Sequence, residues 1–120
     1  MKLVNILAEQ NLAVRSKVWL ELNGKPFFGE GRFNILQSID RYGSISRASE
    51  ETGVSYRKIR GAIYLMEKTI GMKLVIRYRG GAVGGGAAIT ETARELMCLF
   101  EKQEKGIRES VDELYKKTFG

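Results

Sequence analysis

Five glycines lie within the seven residues from Gly80 to Gly86, and two arginines, Arg77 and Arg79, come just before them. Glycine-rich loops bind phosphate when their backbone amides converge on the anion, so phosphate chemistry is the first candidate. A Walker-type loop carries Gly-Lys-Ser/Thr at the start of a helix, and a dinucleotide loop also leads into a helix. Here the glycines lead into Ala-Ala-Ile, which is typical of a strand. The pattern therefore favours a β-hairpin loop over a nucleotide-binding enzyme site.

The residue types that most enzymes need are scarce in this chain. It contains no histidine, which removes the commonest general base and metal ligand. Its one cysteine, Cys98, has no partner for an internal disulfide or a cysteine metal cluster, and it fits a reducing, cytoplasmic setting. The carboxylates of Asp40, Glu91 and Asp112 fall on predicted helix surfaces and caps. The sequence therefore predicts no catalytic site, no bound metal and no cofactor.

The charge balance points to an anionic partner. Twenty Lys and Arg residues against 14 Asp and Glu residues give the 120-residue chain a formal charge of +6 and an isoelectric point of about 9.6. A small basic domain suits nucleic acid or an anionic membrane surface. No apolar run approaches the length of a membrane span, and the N-terminal apolar run is too short and polar for a signal peptide. Nucleic acid is therefore the expected partner, with no role for a membrane.

The elements that would position these residues follow from the spacing of apolar side chains. Alternation of period two before Asn23-Gly24 predicts a tight β-hairpin, and later apolar spacings of three and four predict helices. The predicted segments of one domain over 1–120 are a pair of strands, a three-helix core, a wing and a long helix: 14–28, 30–71, 73–89 and 91–118. The expected fold class is mainly α with a small β component.

A helix-turn-helix plan is predicted over residues 46–70. Ser46 is expected to cap its first helix, and Ala48 is small enough for the two helices to cross closely. Gly53 supplies the turn, and Ser55 caps the second helix. The first turn of that second helix is polar and cationic, as a helix that reads base edges requires.

Contacts with duplex DNA are expected from the helix pair and from the wing. Arginine can pair with guanine through two hydrogen bonds, lysine neutralises phosphate, and glycine allows a close backbone approach. The predicted DNA-binding residues are Ser44, Ser46, Ser55, Tyr56, Arg57, Lys58, Arg60, Gly61, Tyr64, Arg77, Arg79, Gly80, Gly81, Gly84, Gly85 and Gly86.

The long helix predicts packing against a partner helix. Its apolar residues recur every seven positions, and such a helix carries more apolar surface than one small domain easily covers. The residues of this predicted stripe are Ala93, Met97, Phe100, Ile107, Val111 and Leu114. The alternative is a helix that folds back on its own core.

The stretches GSISRASEETGVSYRKIRGAIYLME and GGAVGGGAAITETARELM closely resemble the N-terminal DNA-binding domain of the ModE family of molybdate-responsive transcription regulators. A more distant similarity is to the LysR-type winged helix. The resemblance covers roughly 18–114, and its most specific parts are GSIS, SY, AI and the glycine wing with Thr90. It implies a winged helix-turn-helix homodimer that binds a palindromic operator, with the second helix in the major groove. It also implies dimerisation through the first strands (Val18, Leu20, Leu22) and the long helix.

Two departures from the family pattern limit what the resemblance carries over. The full-length family has C-terminal domains that bind molybdate, and this chain ends at Gly120 without them. Ligand sensing is therefore expected to require a separate protein or a different ligand. In addition, Arg60 stands where the family pattern has a tryptophan, so a DNA contact made by that aromatic ring is not transferred.

Two other binding functions remain open at this point. The winged helix could be a scaffold whose long helix docks a separate sensor or transport protein. Alternatively, exposed aromatic residues on strands, Trp19 and Tyr78, could stack on single-stranded RNA. The cations around Ser55 and the wing favour duplex DNA over the protein scaffold, and the helix-turn-helix plan favours duplex DNA over RNA.

Overall fold

The computed structural model describes residues 2–79 and 85–120, and contacts group the chain into two units. One unit is Trp19–Phe100, and the other combines Met1–Val18 with Glu101–Gly120. The elements of the described residues are α1 (Lys2–Glu9), β1 (Trp19–Leu22), β2 (Lys25–Gly29), α2 (Glu30–Tyr42), α3 (Ile45–Thr52), α4 (Tyr56–Ile70), β3 (Val75–Tyr78), β4 (Gly86–Ile89) and α5 (Glu91–Phe119). The predicted class, mainly α with a small β component, is confirmed.

The first hairpin joins β1 to β2 through the predicted Asn-Gly turn. Asn23 and Gly24 have φ values of 53° and 77°, which two-residue hairpin turns of this type require. The prediction that strands begin near residue 14 is wrong, because β1 begins at Trp19. Trp19 pairs with Gly29, the last residue of β2, and the chain enters α2 at the next residue. Residues before Trp19 therefore have no strand to pair with.

The three central helices end where their glycines predict. Gly43, Gly53 and Gly71 each adopt a left-handed conformation and close α2, α3 and α4. The predicted cap of α3 is wrong, because Ser44 rather than Ser46 accepts a hydrogen bond from the backbone N–H of Arg47, at 3.2 Å. Because Gly43 closes α2 directly before Ser44, α3 begins at Ile45, and Ser46 lies in its first turn.

An aromatic cluster forms the centre of the Trp19–Phe100 unit. Phe28 and Phe100 are almost fully buried, and their rings meet edge to face with centroids 5.3 Å apart. Phe33 packs beside both rings. Ala93 is also fully buried. The assignment of Ala93 and Phe100 to a dimer interface is therefore corrected: their side chains fill the core of their own chain and are not free for a partner.

The second hairpin is fixed at its base to the rest of the Trp19–Phe100 unit. In it β3 and β4 pair antiparallel, and the backbone N–H of Ala87 donates to the carbonyl of Gly43 at 2.9 Å. The Thr90 hydroxyl accepts from the N–H of Ala93 at 3.1 Å and donates to the carbonyl of Lys73 at 2.8 Å. Thr90 therefore caps α5, as predicted. Its bond to Lys73 also ties the end of β4 to the residues that precede β3.

Replacing Thr90 with alanine is expected to lower the free energy of unfolding by about 1 kcal/mol, because α5 loses its N-terminal cap. Urea denaturation followed by circular dichroism measures the change. Thr69→Ala is the matched control, since the Thr69 hydroxyl lies within α4 and donates only to the carbonyl of Leu65. Equal stability of the two variants would contradict the capping role.

The second unit contains an element that the sequence reading missed. Residues Lys2–Glu9 form α1, and the Tyr115 hydroxyl in α5 donates to the carbonyl of Leu12 at 2.8 Å. Leu3 and Ile6 remain exposed on α1. None of the helices in 2–79 and 85–120 is both long and apolar enough to cross a membrane.

Candidate nucleic-acid interface

Side-chain hydrogen bonds hold the turn between α3 and α4 in place. The Ser49 hydroxyl donates to the carbonyl of Val54 at 2.7 Å, and the Thr52 hydroxyl accepts from the N–H of Val54 at 3.2 Å. Ala48 is fully buried, as the close crossing of the two helices requires. These bonds link the end of α3 to the start of α4, and they fix the direction in which α4 leaves the turn.

The start of α4 presents cations outward because its apolar residues face inward. Ile59 and Met66 are fully buried on the inner face. The Ser55 hydroxyl accepts from the N–H of Lys58 at 3.2 Å, which caps the helix as predicted. The remaining predicted contact residues of this helix lie exposed on the outer side: Arg57, Lys58, Arg60, Gly61 and Tyr64. A Cβ atom at Gly61 would meet nothing within 4 Å, so this position leaves a gap in the outer surface.

One hydrogen bond brings the base of the wing to the start of α4. The guanidinium of Arg77 donates to the hydroxyl of Tyr56 at 2.9 Å. Sequence reasoning placed both residues in the DNA-binding set but did not connect them, because they lie 21 positions apart. The contact holds the Arg77 guanidinium against Tyr56, which is half-buried at the start of α4.

A cleft of about 480 Å³ opens beside this contact. Ser44, Ser46, Arg77 and Arg79 line it, together with Tyr78, which the sequence-based DNA set omitted. Tyr78 could have been found from its place between the two arginines. The described residues that line the cleft include no carboxylate. A concave surface of hydroxyls and guanidinium groups is suited to a phosphate backbone.

Two wing glycines have a packing reason that the sequence does not reveal. A Cβ at Gly85 would lie 2.6 Å from the carbonyl oxygen of Tyr78, and one at Gly86 would lie 2.7 Å from the Tyr78 ring. These glycines allow β4 to pass close to β3, whether or not DNA approaches them. The predicted contacts at Gly80, Gly81 and Gly84 lie outside the described residues.

Trp19 and Tyr78, the aromatic candidates for stacking RNA bases, lie on different sheets. Trp19 lies on the β1–β2 sheet, with its indole N–H donating to Glu21 at 2.9 Å, whereas Tyr78 lies on the separate β3–β4 sheet. The two aromatic rings therefore do not share a strand surface for stacking RNA bases. Among the described residues no three His, Cys, Asp or Glu side chains are grouped to hold a metal ion.

The helix pair and the wing match a known sequence family. The family model for the bacterial regulatory helix-turn-helix protein, lysR family, matches residues 31–94, from α2 into α5. This family consists of regulatory proteins and not of enzymes, as the sequence analysis expected. The match covers more than half of the chain and contains all of α3, α4, β3 and β4.

Curated relatives confirm the resemblance to ModE proteins over about two thirds of the chain. The molybdenum transport protein ModE of Azotobacter vinelandii is 32% identical over 83 residues, which is 69% of this chain and 31% of that protein. The DNA-binding transcriptional dual regulator ModE of Escherichia coli (strain K12) is 35% identical over 82 residues, which is 68% of this chain and 31% of that protein. The chain thus spans less than a third of the length of these relatives.

Solved structures of regulators support the winged-helix fold. A zinc-responsive MarR family member, ZitR of Lactococcus lactis, aligns with a TM-score of 0.52 and 17% identity over 97% of this chain and 80% of that chain. ArgP of Mycobacterium tuberculosis aligns with a TM-score of 0.52 and 20% identity over 71% of this chain and 30% of that chain. At these identities the likeness concerns the fold alone. Because the family model covers the helix pair and the wing, this chain belongs to the bacterial regulatory helix-turn-helix proteins of the lysR family.

Proposed function

We propose that the chain is a cytoplasmic transcription regulator that binds double-stranded DNA in a sequence-specific manner. The observation that carries this proposal is the bond between Arg77 and Tyr56, which joins the wing to the first turn of α4. Beside it lies a cleft whose described lining has cations and hydroxyls but no carboxylate. Duplex recognition by this motif requires a helix that fits the major groove and an adjacent cationic surface that contacts the DNA backbone.

In the proposed complex, the first turns of α4 enter the major groove. Arg57 is exposed and is assigned to a guanine edge, while Lys58 and Arg60 on either side are assigned to phosphates. The Ser55 hydroxyl accepts a backbone N–H, so its own proton remains free to donate to a phosphate oxygen. The gap at Gly61 leaves room for a sugar or base edge beside the helix.

The wing is assigned to the backbone and the minor groove. Arg77 and Arg79 are exposed at its base, and Ser44 and Ser46 lie across the same cleft. Cations next to a narrow minor groove gain from its enhanced negative potential. The contacts assigned to the glycine tip remain expectations from the sequence.

Replacing Tyr56 with phenylalanine is expected to weaken duplex binding about three- to tenfold, because Arg77 loses the partner that orients it. The base preference should be retained, since the wing contributes contacts to the backbone. Fluorescence anisotropy with a labelled duplex measures both quantities. Tyr42→Phe is the matched control, because it removes the same hydroxyl from a half-buried residue that does not line the cleft. Parent-like affinity for Tyr56→Phe would remove its positioning role.

We further propose that the chain binds a palindromic operator as a homodimer. In the unit that contains the C-terminal part of α5, Ile107, Val111 and Leu114 line a shallow groove with Gly106. Leu114 is 65% exposed, and a Cβ at Gly106 would meet nothing within 4 Å, so a second helix has both apolar surface and room. Two copies joined in this way would present two recognition helices to half-sites one helical turn apart.

Leu114→Glu is expected to raise the dissociation constant of the dimer at least about tenfold, because it places a charge in the proposed helix contact. Sedimentation velocity over a range of protein concentrations measures the shift towards monomer. Leu99→Glu makes the same change at an exposed position of α5 that does not line this groove. A Leu114→Glu protein that associates as strongly as the parent would exclude this face as the dimer contact.

The second candidate function is a protein-interaction module. The same groove on α5 favours it, since an exposed apolar stripe can also dock a separate sensor or transport protein. Such a module has no need for the cations around Ser55 and Arg77. Failure of the chain to retain any duplex at low salt would favour this candidate over the regulator.

A further inference from the structure

A groove larger than the cleft of the proposed DNA surface lies between α4 and β3. Its volume is about 890 Å³, compared with about 480 Å³ for the cleft. One wall is the face of α4 that runs from Arg60 to Lys68, and the other wall is β3 with the residues that precede it. The stretch from Arg60 to the end of α4 at Ile70 measures roughly 15 Å along the helix axis, or nearly three helical turns.

The groove has an apolar floor and apolar edges. Ile63 and Val75 form part of the buried floor. Tyr64, Met72 and Ile76 line the groove while remaining 54%, 52% and 55% exposed. Three large apolar side chains around one concavity form a patch of the kind that marks a protein-binding surface.

The charge around the groove is mainly positive. Arg60, Lys68, Lys73 and Arg77 line it, and Glu67 is the one carboxylate among the described lining residues. Glu67 is already engaged: one oxygen accepts the backbone N–H groups of the two residues after Lys73, at 2.8 and 3.2 Å, and the other lies 3.7 Å from the Lys73 ammonium. The other lining cations, Arg60, Lys68 and Arg77, therefore have no partner carboxylate among the described lining residues, and they can pair with carboxylates of a bound molecule.

We propose that this groove binds an acidic amphipathic helix of a second protein. Apolar side chains spaced along one face of that helix pack on Tyr64, Met72 and Ile76, and its carboxylates pair with Arg60 and Lys68. A second copy of this chain is a poor occupant, because it carries a net charge of +6. Duplex DNA matches the cations but has no apolar surface suited to the exposed Met72 and Ile76.

This inference goes beyond the proposed DNA recognition and adds a protein partner at an adjoining surface. Arg60, Tyr64 and Arg77 belong to both surfaces, whereas Met72 and Lys73 line only the groove. Met72 is therefore the position at which the two functions can be tested separately.

The test uses a labelled synthetic peptide of about 14 residues, with leucines at i, i+4 and i+7 and with Asp or Glu at most other positions. Binding to the whole chain is measured by anisotropy, and the site is mapped from the backbone amide signals of the ¹⁵N-labelled chain. A scrambled peptide of the same composition and a peptide with lysine at every acidic position serve as controls. Binding of a duplex is measured in parallel with every variant.

The expected result is micromolar binding of the acidic amphipathic peptide, with the largest amide shifts in α4 and β3. Met72→Ser should weaken that binding about tenfold, whereas Leu65→Ser, which removes an equally exposed side chain outside the groove, should leave it unchanged. Lys68→Gln should weaken it by a smaller factor that disappears at high salt.

Three results would overturn the inference. The scrambled peptide could bind as tightly, which would leave only nonspecific charge attraction. The largest shifts could fall outside the groove. A duplex could shift the Met72 and Lys73 amides while the peptide does not, which would assign the groove to DNA. If the parent chain bound the peptide but no duplex, that result would contradict the proposed regulator function and leave the groove proposal standing.

Discussion

Replacing Arg57 with alanine is expected to weaken binding to the specific operator by about 1–3 kcal/mol, or roughly five- to 150-fold. Arg57 is exposed on the first turn of α4, where a recognition helix contacts base edges. Its loss should remove discrimination at one base pair in each half-site, while binding to unrelated duplex falls much less. Titration of matched operator and mutated operator duplexes, at one fixed salt concentration, separates these two effects.

Arg108→Ala is the matched control for this substitution. It removes the same charge from an exposed arginine of α5, which pairs with Glu104 at 3.6 Å. If Arg57 contributed only through the net charge of the chain, the two variants would behave alike, with equal losses on every duplex. That outcome, or parent-like binding of Arg57→Ala, would contradict the assignment of Arg57 to a base edge.

Replacing Phe28 with alanine is expected to lower the free energy of unfolding by about 3–5 kcal/mol. Phe28 is 1% exposed, and its ring packs against Phe33 and Phe100, so its removal leaves a cavity between β2, α2 and α5. A loss of this size is a large fraction of the stability of an ordinary domain. The midpoint of urea unfolding measures it.

Phe119→Ala provides the comparison for Phe28→Ala. Phe119 is 39% exposed, and its ring packs beside that of Tyr115 at the end of α5, with centroids 5.2 Å apart. Its removal should cost only about 1–2 kcal/mol, since part of the side chain already faces solvent and less buried area is lost. Similar losses from both substitutions would contradict a core centred on Phe28 and Phe100.

The sequence predicted the features that depend on residues within one helical turn. Gly53 and Ser55 mark the end of α3 and the start of α4 because a left-handed glycine and a capping hydroxyl act locally. Local residue types alone did not identify the cap of α3. Ser44 and Ser46 both have a capping side chain, and the end of α2 at Gly43, directly before Ser44, decides between them.

Features that depend on residues distant in sequence were not predicted. The bond between Tyr56 and Arg77, and the close approach of Gly86 to Tyr78, follow from how the wing folds back. The spacing of seven on α5 grouped Phe100 with Leu114, yet Phe100 is buried in its own core while Leu114 is exposed. Periodicity identifies an apolar face but not which part of that face the chain itself covers.

Selection from a library of random duplexes at two salt concentrations tests whether the chain recognises a DNA sequence as a dimer. The purified chain retains duplexes, and the retained duplexes are sequenced. We expect a palindrome with half-sites about one helical turn apart, enriched at both salt concentrations although with lower yield at the higher one. Retention without any sequence preference, lost completely at the higher salt, would contradict a sequence-reading regulator and leave only the attraction of a basic protein for DNA.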